Sequence, residues 1–301
     1  MAVGKAHGRT WREPSPRLLG FLLLLPSLVV IALINLYPLT YTIVLSFLNK
    51  DLLRPSNVRF IGLANYVSLF RSADFLTGLR HSVSITGWSV AIQVVAAFGL
   101  ALMLRKPFRG RDLIRGIFIL PWPVPSFVAA FAWVWMLDYN FGIVNNLVHA
   151  AGLARYPFLG TPQSAYVTVI LADVWKHLPW TLVVMLAGLS MVSEELIEAI
   201  RVDGGGFWAE IWHAIVPSMK PVIALVVVLR IIWTFNFFDL IYLMTGGGPG
   251  QATLILPIAI YSAAFRAYRI SIAATMGMVM LIGLGALAIV YLRLQRWDIT
   301  A

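Results

Sequence analysis

Apolar residues run along this chain in blocks of bilayer length, and the polar residues gather between them. A hydrocarbon core ~30 Å thick needs about 20 apolar residues in a helix. Stretches of that kind, with few or no charges, cover residues 18–37, 82–104, 116–137, 165–189, 222–243 and 271–292. The pattern predicts an all-α, polytopic membrane protein: six transmembrane helices over residues 18–293, a basic N-terminal segment at 1–17 and a C-terminal segment at 294–301. The first block follows Lys5, Arg9, Arg12 and Arg17 and has no small-residue cleavage pattern behind it, so it reads as an uncleaved anchor and not as a signal peptide. In the third block, Pro121, Pro123 and Pro125 cannot sustain helical hydrogen bonds. That helix must break or begin late, either as a pathway-lining break beside Trp122 or as a loosely wound helix entrance.

Composition agrees with the pattern. The chain is 60% hydrophobic and 12% charged, about half the ~25% charged share of soluble domains, and its mean hydropathy is +0.83. A net charge of +10 would suggest nucleic acid in a soluble protein. Here the basic residues lie mostly in short loops between apolar blocks, so membrane lipid is the acidic partner and nucleic acid is not. With no cysteine, disulfides, thiolate catalysis and cysteine-ligated metals are excluded. The five histidines have no metal-ligand spacing, and no HExxH, Gx[ST]xG or serine-histidine-aspartate arrangement marks an enzyme.

Placing the N-terminus in the cytoplasm puts most of the 23 Lys and Arg residues inside, above all the loop of Arg105, Lys106, Arg109, Arg111 and Arg115. Lys50, Arg54, Arg59, Arg71 and Arg80 oppose the rule from the first external loop, though a loop that long obeys it less strictly. Helix parity then puts the C-terminus inside as well.

One cytoplasmic loop, residues 191–220, is acidic where it should be basic. It carries Glu194, Glu195, Glu198, Asp203 and Glu210 against Arg201 and Lys220. Lipid headgroups would repel such a surface, whereas a protein partner could pair its arginines with it. Ser193 before Glu194 and Glu195 reads as a helix start with a hydroxyl cap and acids at the positive end of the dipole. Gly204, Gly205 and Gly206 read as the turn, and Phe207 to Val216 as a second helix with an apolar arm of Phe207, Trp208, Ile211, Trp212 and Ile215. Pro217 and Pro221 would mark the return to the membrane.

The run Glu198-Ala199-Ile200-Arg201-Val202-Asp203-Gly204, with Ile215-Val216-Pro217 following, resembles the EAA loop of binding-protein-dependent ABC importer permeases. The likeness departs at Ile200, Gly205, Ala214 and Val216 and keeps the Glu, Asp, Gly and Pro. Phe60-Ile61-Gly62-Leu63-Ala64-Asn65-Tyr66, and Phe235-Asn236-Phe237-Phe238-Asp239 leading to Thr245-Gly246-Gly247-Gly248-Pro249, narrow it to the carbohydrate-uptake (MalF-like and UgpA-like) type. The resemblance implies a MetI-like permease core in a bacterial cytoplasmic (inner) membrane, paired with a second homologous permease subunit. It also implies an ABC ATPase dimer beneath the pair, an extracytoplasmic solute-binding protein above it and a carbohydrate-like substrate. Glu198, Ala199, Asp203, Gly204, Phe207, Trp208, Trp212 and Pro217 would form the coupling contact, with Glu198 and Asp203 fixing the loop through salt bridges or caps. The chain has no G-x-x-x-x-G-K-[ST] phosphate loop, so it cannot supply the ATPase; no cofactor of its own is expected, and ATP and Mg would belong to the partner ATPase.

Inside the membrane, Asp173 and Lys176 lie on the fourth block and Arg230 and Asp239 on the fifth. A charge at bilayer depth costs at least ~2.5 kcal/mol, so each should meet a partner or a water-filled path. Matching depths suggest Asp173 with Arg230 and Lys176 with Asp239, either locking two helices together or lining the pathway. Trp233, Asn236, Asp239 and Tyr242 would line a sugar path, amide and carboxylate serving hydroxyls and aromatic faces serving C–H surfaces. The rival reading is an ion-gradient-driven secondary transporter that uses Asp173 and Asp239 as ion sites, which leaves the acidic loop without a purpose.

Overall fold

The computed structural model describes residues 15–54 and 56–298, so most of the basic N-terminal segment and the last residues of the C-terminal one lie outside the described residues. Among those described, five helices are long and apolar enough to cross a membrane. The first, α1, runs Pro16–Ile31, loosens into a π-type turn at Ala32–Leu36 and continues over Tyr37–Ser46. It therefore outlasts the expected end at Tyr37. The wide turn, in which the Tyr37 N–H reaches back to the Ala32 carbonyl, makes room for the Pro38 ring that would otherwise stop the helix.

A two-stranded ribbon follows, β1 (Leu48–Asn49) against β2 (Arg59–Phe60), antiparallel with Leu48 opposite Phe60. The short α2 (Ala64–Leu69) then carries Asn65, whose amide donates to the carbonyls of Ser46 (2.9 Å) and Leu48 (2.8 Å). Tyr66 donates to the Ser46 hydroxyl at 2.8 Å. The Phe60-to-Tyr66 motif thus satisfies backbone groups at the end of α1, where a helix terminus leaves carbonyls unpaired.

The most extensive helix pair is α3 (Ala73–Met103) against α7 (Pro162–Leu189). Ser89, Ala97 and Ala101 on one and Ala165, Thr168 and Ala172 on the other are buried, and such small residues let helices approach closely in lipid, where hydrophobicity does not drive association. Thr161 and Ser164 cap the start of α7 reciprocally.

The third apolar stretch departs from a single span. It forms α4 (Arg111–Ile119), a non-helical turn over residues 120–125, and α5 (Ser126–Met136), followed by the short α6 (Ile143–Ala150). At 1.5 Å per residue α5 alone spans roughly 16 Å, about half the hydrocarbon core. The prolines break the helix as expected, and the freed carbonyls find a donor: Lys176 on α7 gives hydrogen bonds to those of Pro121 (3.1 Å), Trp122 (3.1 Å) and Val124. Lys176 therefore does not pair with Asp239. An ammonium with three donors suits three converging carbonyls.

After α8 (Glu194–Val202), helix α9 runs unbroken over Phe207–Phe235, and the short α10 (Asp239–Thr245) follows. The fifth span thus ends at Phe235 instead of Leu243, and Gly246 closes α10 in the left-handed region. Helix α11 (Leu256–Tyr261, with a π-type turn at Ser262–Arg266) and the long α12 (Ile270–Asp298) complete the bundle. Replacing Lys176 by Met should leave three carbonyls without their donor, the buried one of Pro121 at a cost of about 1–3 kcal/mol and the half-buried ones of Trp122 and Val124 at less. Fluorescence-detected thermal unfolding in detergent is expected to show a loss of several degrees for Lys176→Met and a smaller one for Lys176→Arg.

Candidate functional site

The acidic loop folds into a helical hairpin. Ser193 occupies the cap position of α8, but its hydroxyl makes no capping bond. The turn is fixed at the other end, where the Gly204 N–H bonds the Arg201 carbonyl (3.0 Å) and the Gly205 N–H bonds the Ile200 carbonyl (2.8 Å), the two bonds of a Schellman motif. Gly204 has φ +82°, strained for any other residue, and a Cβ on Gly205 would lie 2.5 Å from Ile200 Cγ2. Both glycines are demanded by the turn, one by dihedral and one by space.

The two arms are braced by a bidentate pair, Arg201 to Glu210 at 2.7 and 3.1 Å, which pushes Arg201 above its ordinary pKa. Arg105 from the basic loop reaches Glu194 at 2.7 Å. The chain therefore neutralises part of its own acidic loop. Glu195, Glu198 and Asp203 remain exposed and form no ion pair among the described residues, so it is Arg201 and Glu210, not Glu198 and Asp203, that hold the hairpin.

The second arm is not a separate helix. It is the beginning of α9, where a π-type turn at Ile211–Ile215 lets the Val216 N–H reach the Ile211 carbonyl and gives the Pro217 ring the room it needs. Pro217 and Pro221 thus lie within a continuous helix and mark no break. Helical periodicity also splits the apolar arm: Ile211, Ala214 and Ile215 are buried with Ile197 and Leu189, while Phe207 (58% exposed), Trp208 (69%) and Trp212 (62%) face outward. Ala199, Gly204 and Pro217 are exposed as well.

Deeper in the bundle, three helices meet in a buried polar network. Arg230 on α9 donates through Nε to Gln93 on α3 (2.7 Å), Gln93 donates to the Asp173 carboxylate on α7 (3.0 Å), and Arg230 lies 3.9 Å from that same carboxylate. His177 approaches the other Asp173 oxygen at 2.9 Å, and Thr234 accepts from Arg230 at 2.8 Å. The expected Asp173–Arg230 pair exists, but Gln93 does most of the joining. Gln93, His177 and Thr234 join the network from outside the expected set. His177 and Thr234 carry a usable signal, each lying four positions beyond a buried charge on one helix, whereas nothing local links Gln93 to residues 80 and 137 positions away.

The four expected path residues do not form one site. Helix α9 ends at Phe235, and the irregular residues 236–238 destroy the i, i+3 relation between Asn236 and Asp239. Trp233 packs edge-on against Trp180 with centroids 4.6 Å apart. Asn236 donates to the Ile232 carbonyl (2.7 Å) and lines cavities of about 340 and 500 Å³ facing α11 and α12, which contain none of the other three. Asp239 is exposed at the first position of α10. The Tyr242 ring stacks on Phe238 (4.6 Å), and its hydroxyl accepts from Arg266 at 3.1 Å.

The structure is a helical membrane bundle with a broken third stretch, a helical hairpin at one end and a buried charge network, and comparison with known proteins says what kind of protein carries it. Residues 93–297 match the family described as "Binding-protein-dependent transport system inner membrane component", and the chain belongs to that family, the membrane-embedded permeases of ABC importers. It is 32% identical over 282 residues to the trehalose/maltose transport system permease protein MalF of Thermococcus litoralis, covering 93% of this chain and 94% of that one. It is 30% identical to the sulfoquinovosyl glycerol transport system permease protein SmoG of Agrobacterium fabrum, covering 95% and 93%. In fold it resembles a chain of the bacterial alginate ABC transporter solved with an alginate pentasaccharide-bound periplasmic protein, with a TM-score of 0.82 at 23% identity over 97% of this chain and 98% of that one. A gradient-driven transporter finds no support in these relationships or in the geometry, since Asp173 is engaged by Gln93, His177 and Arg230.

Removing Gln93 leaves Arg230 and Asp173, both buried, short of a partner. Gln93→Leu should lower stability by about 1–3 kcal/mol, and Arg230→Met, which strands a buried carboxylate, by about 3–5 kcal/mol; unfolding in detergent measures both. Equal stability of the two variants and the parent would refute the network's structural role.

Proposed function

We propose that this chain is the permease subunit of an ATP-driven importer for a carbohydrate or carbohydrate-like solute, and that the hairpin of α8 and the start of α9 docks in its ATPase. The observation that carries this reading is the exposure of Phe207, Trp208 and Trp212 on one arm of an internally braced hairpin that also exposes Glu195, Glu198 and Asp203. Large aromatic side chains exposed together on a rigid support are the features of a protein contact, and the free carboxylates suit arginines on the partner.

Helix α9 extends that contact into the membrane. It runs Phe207–Phe235 without interruption, roughly 43 Å at 1.5 Å per residue, and ends at the irregular residues 236–238. A push on Trp208 and Trp212 would therefore reach Asn236 as motion of a single rod. ATP and Mg, held by an ATPase dimer, would drive that push, and alternating access would follow as the rods tilt about a central path. The permease does no covalent chemistry.

Residues 18–293 form the transmembrane domain in this reading, seated in the bacterial inner membrane with both termini in the cytoplasm. The excess of basic residues on the hairpin side supports that orientation. A second homologous permease would complete the pathway, and an external solute-binding protein would deliver the cargo. The names of the relatives, which handle trehalose, maltose and sulfoquinovosyl glycerol, support a carbohydrate cargo. Asn236, Asp239, Tyr242 and Trp233 are the residues proposed to meet it, singly along a path and not as one pocket.

Exchanging Trp208 and Trp212 together for Ala should abolish co-purification of the ATPase and vanadate-sensitive uptake while leaving the amount of permease in the membrane unchanged. Normal uptake by that variant would sink the coupling assignment. The cargo is tested separately by finding which sugars raise the melting temperature of the cognate binding protein.

A further inference from the structure

At the hairpin end of the bundle, a cavity of about 270 Å³ lies where the basic loop meets the end of α7. Three arginines line it, Arg105, Arg111 and Arg115, together with Ser190 and Glu194. The acids in reach do not saturate them. Arg105 gives one nitrogen to Glu194 at 2.7 Å, and Arg115 reaches the Leu104 carbonyl at 3.3 Å and comes within 3.9 Å of Asp112. The Nε atoms of Arg111 and Arg115 are buried with no hydrogen-bond partner among the described residues. Buried donors of this kind are costly unless something accepts from them.

A second cavity of about 330 Å³ begins at Arg115 and Leu186, which it shares with the first in part, and continues along Ile119, Leu182, Val183 and Ala187. Apart from Arg115 its lining is apolar. The junction lies level with the ends of α3 at Met103 and α7 at Leu189, the depth at which an apolar span gives way to headgroups.

We propose that the two cavities form one site for an anionic phospholipid, with the phosphate among Arg105, Arg111 and Arg115 and an acyl chain along the groove between α4 and α7. Guanidinium groups match phosphate oxygens in a bidentate fork, and basic pockets between membrane helices take anionic headgroups. A free phosphate would use the arginine cavity alone and leave the groove without an occupant. The continuity of charge into an apolar channel therefore selects the esterified form. Because Arg105 holds Glu194 while facing the phosphate, the lipid also steadies α8, the first arm of the hairpin. The site is independent of the solute carried and of the identity of the ATPase.

The test uses the purified full chain in a neutral detergent, with phosphatidylglycerol, phosphatidylcholine or inorganic phosphate added. Phosphatidylglycerol should raise the melting temperature and stay bound in native mass spectrometry, while the other two should do neither. Arg111→Gln combined with Arg115→Gln should remove the shift. Val183→Trp, at a half-exposed position in the groove, should cut lipid retention with the arginines intact, and it decides the matter if the double variant does not fold. Equal stabilisation by phosphatidylcholine overturns the charge assignment, stabilisation by inorganic phosphate that matches the lipid overturns the acyl assignment, and undiminished retention in Val183→Trp overturns the site.

Discussion

Hydrocarbon supplies neither hydrogen-bond donors nor acceptors, so the freed carbonyls and buried charges that this chain carries into the membrane need partners, and other parts of the chain supply them. That constraint organises the structure. Three prolines free a set of carbonyls in the third apolar stretch, and Lys176, two helices away in sequence order, answers them. Arg230 and Asp173 enter on different helices, and Gln93 on a third bridges them. The result ties α3, α7 and α9 together at the level of one buried cluster, so that the three helices cannot move there independently without stranding a charge.

The hairpin follows the opposite rule. Its polar groups face water or a partner, and its shape is set by local bonds that survive without one: two backbone bonds closing the turn and one bidentate ion pair across the arms. A rigid hairpin continuous with a long helix can transmit displacement, whereas a loose loop of the same composition would absorb it. The exposed tryptophans then cost little in entropy when a partner covers them, because their support does not have to be ordered first.

The correspondence between sequence and structure is uneven in an instructive way. The apolar blocks, the proline break and the glycine turn were legible because each depends on residues close together in the chain. The element boundaries differ from the expected ones at Tyr37, Pro217 and Leu243 because π-type turns carry the helices past Pro38 and Pro217 and an irregular stretch at 236–238 ends the fifth span early. The acidic loop read as uniformly in need of a partner, although two of its five acids are already held by Arg105 and Arg201.

By itself, then, the sequence determined that this is a helical membrane protein with a helix-turn-helix at residues 191–220, because hydropathy, helix periodicity and turn chemistry are properties of neighbouring residues, and the likeness of that loop to the EAA loop pointed to the importer permeases. The tertiary structure alone decided which charge meets which. Lys176 goes to carbonyls and not to Asp239, and Gln93, hydrogen-bonded to both, does most of the joining of Arg230 to Asp173, whose direct approach is 3.9 Å. The path residues are also dispersed around a helix break instead of sharing a face. Those outcomes depend on how helices far apart in the chain pack and rotate against one another, and the depth of a residue in its own span fixes neither.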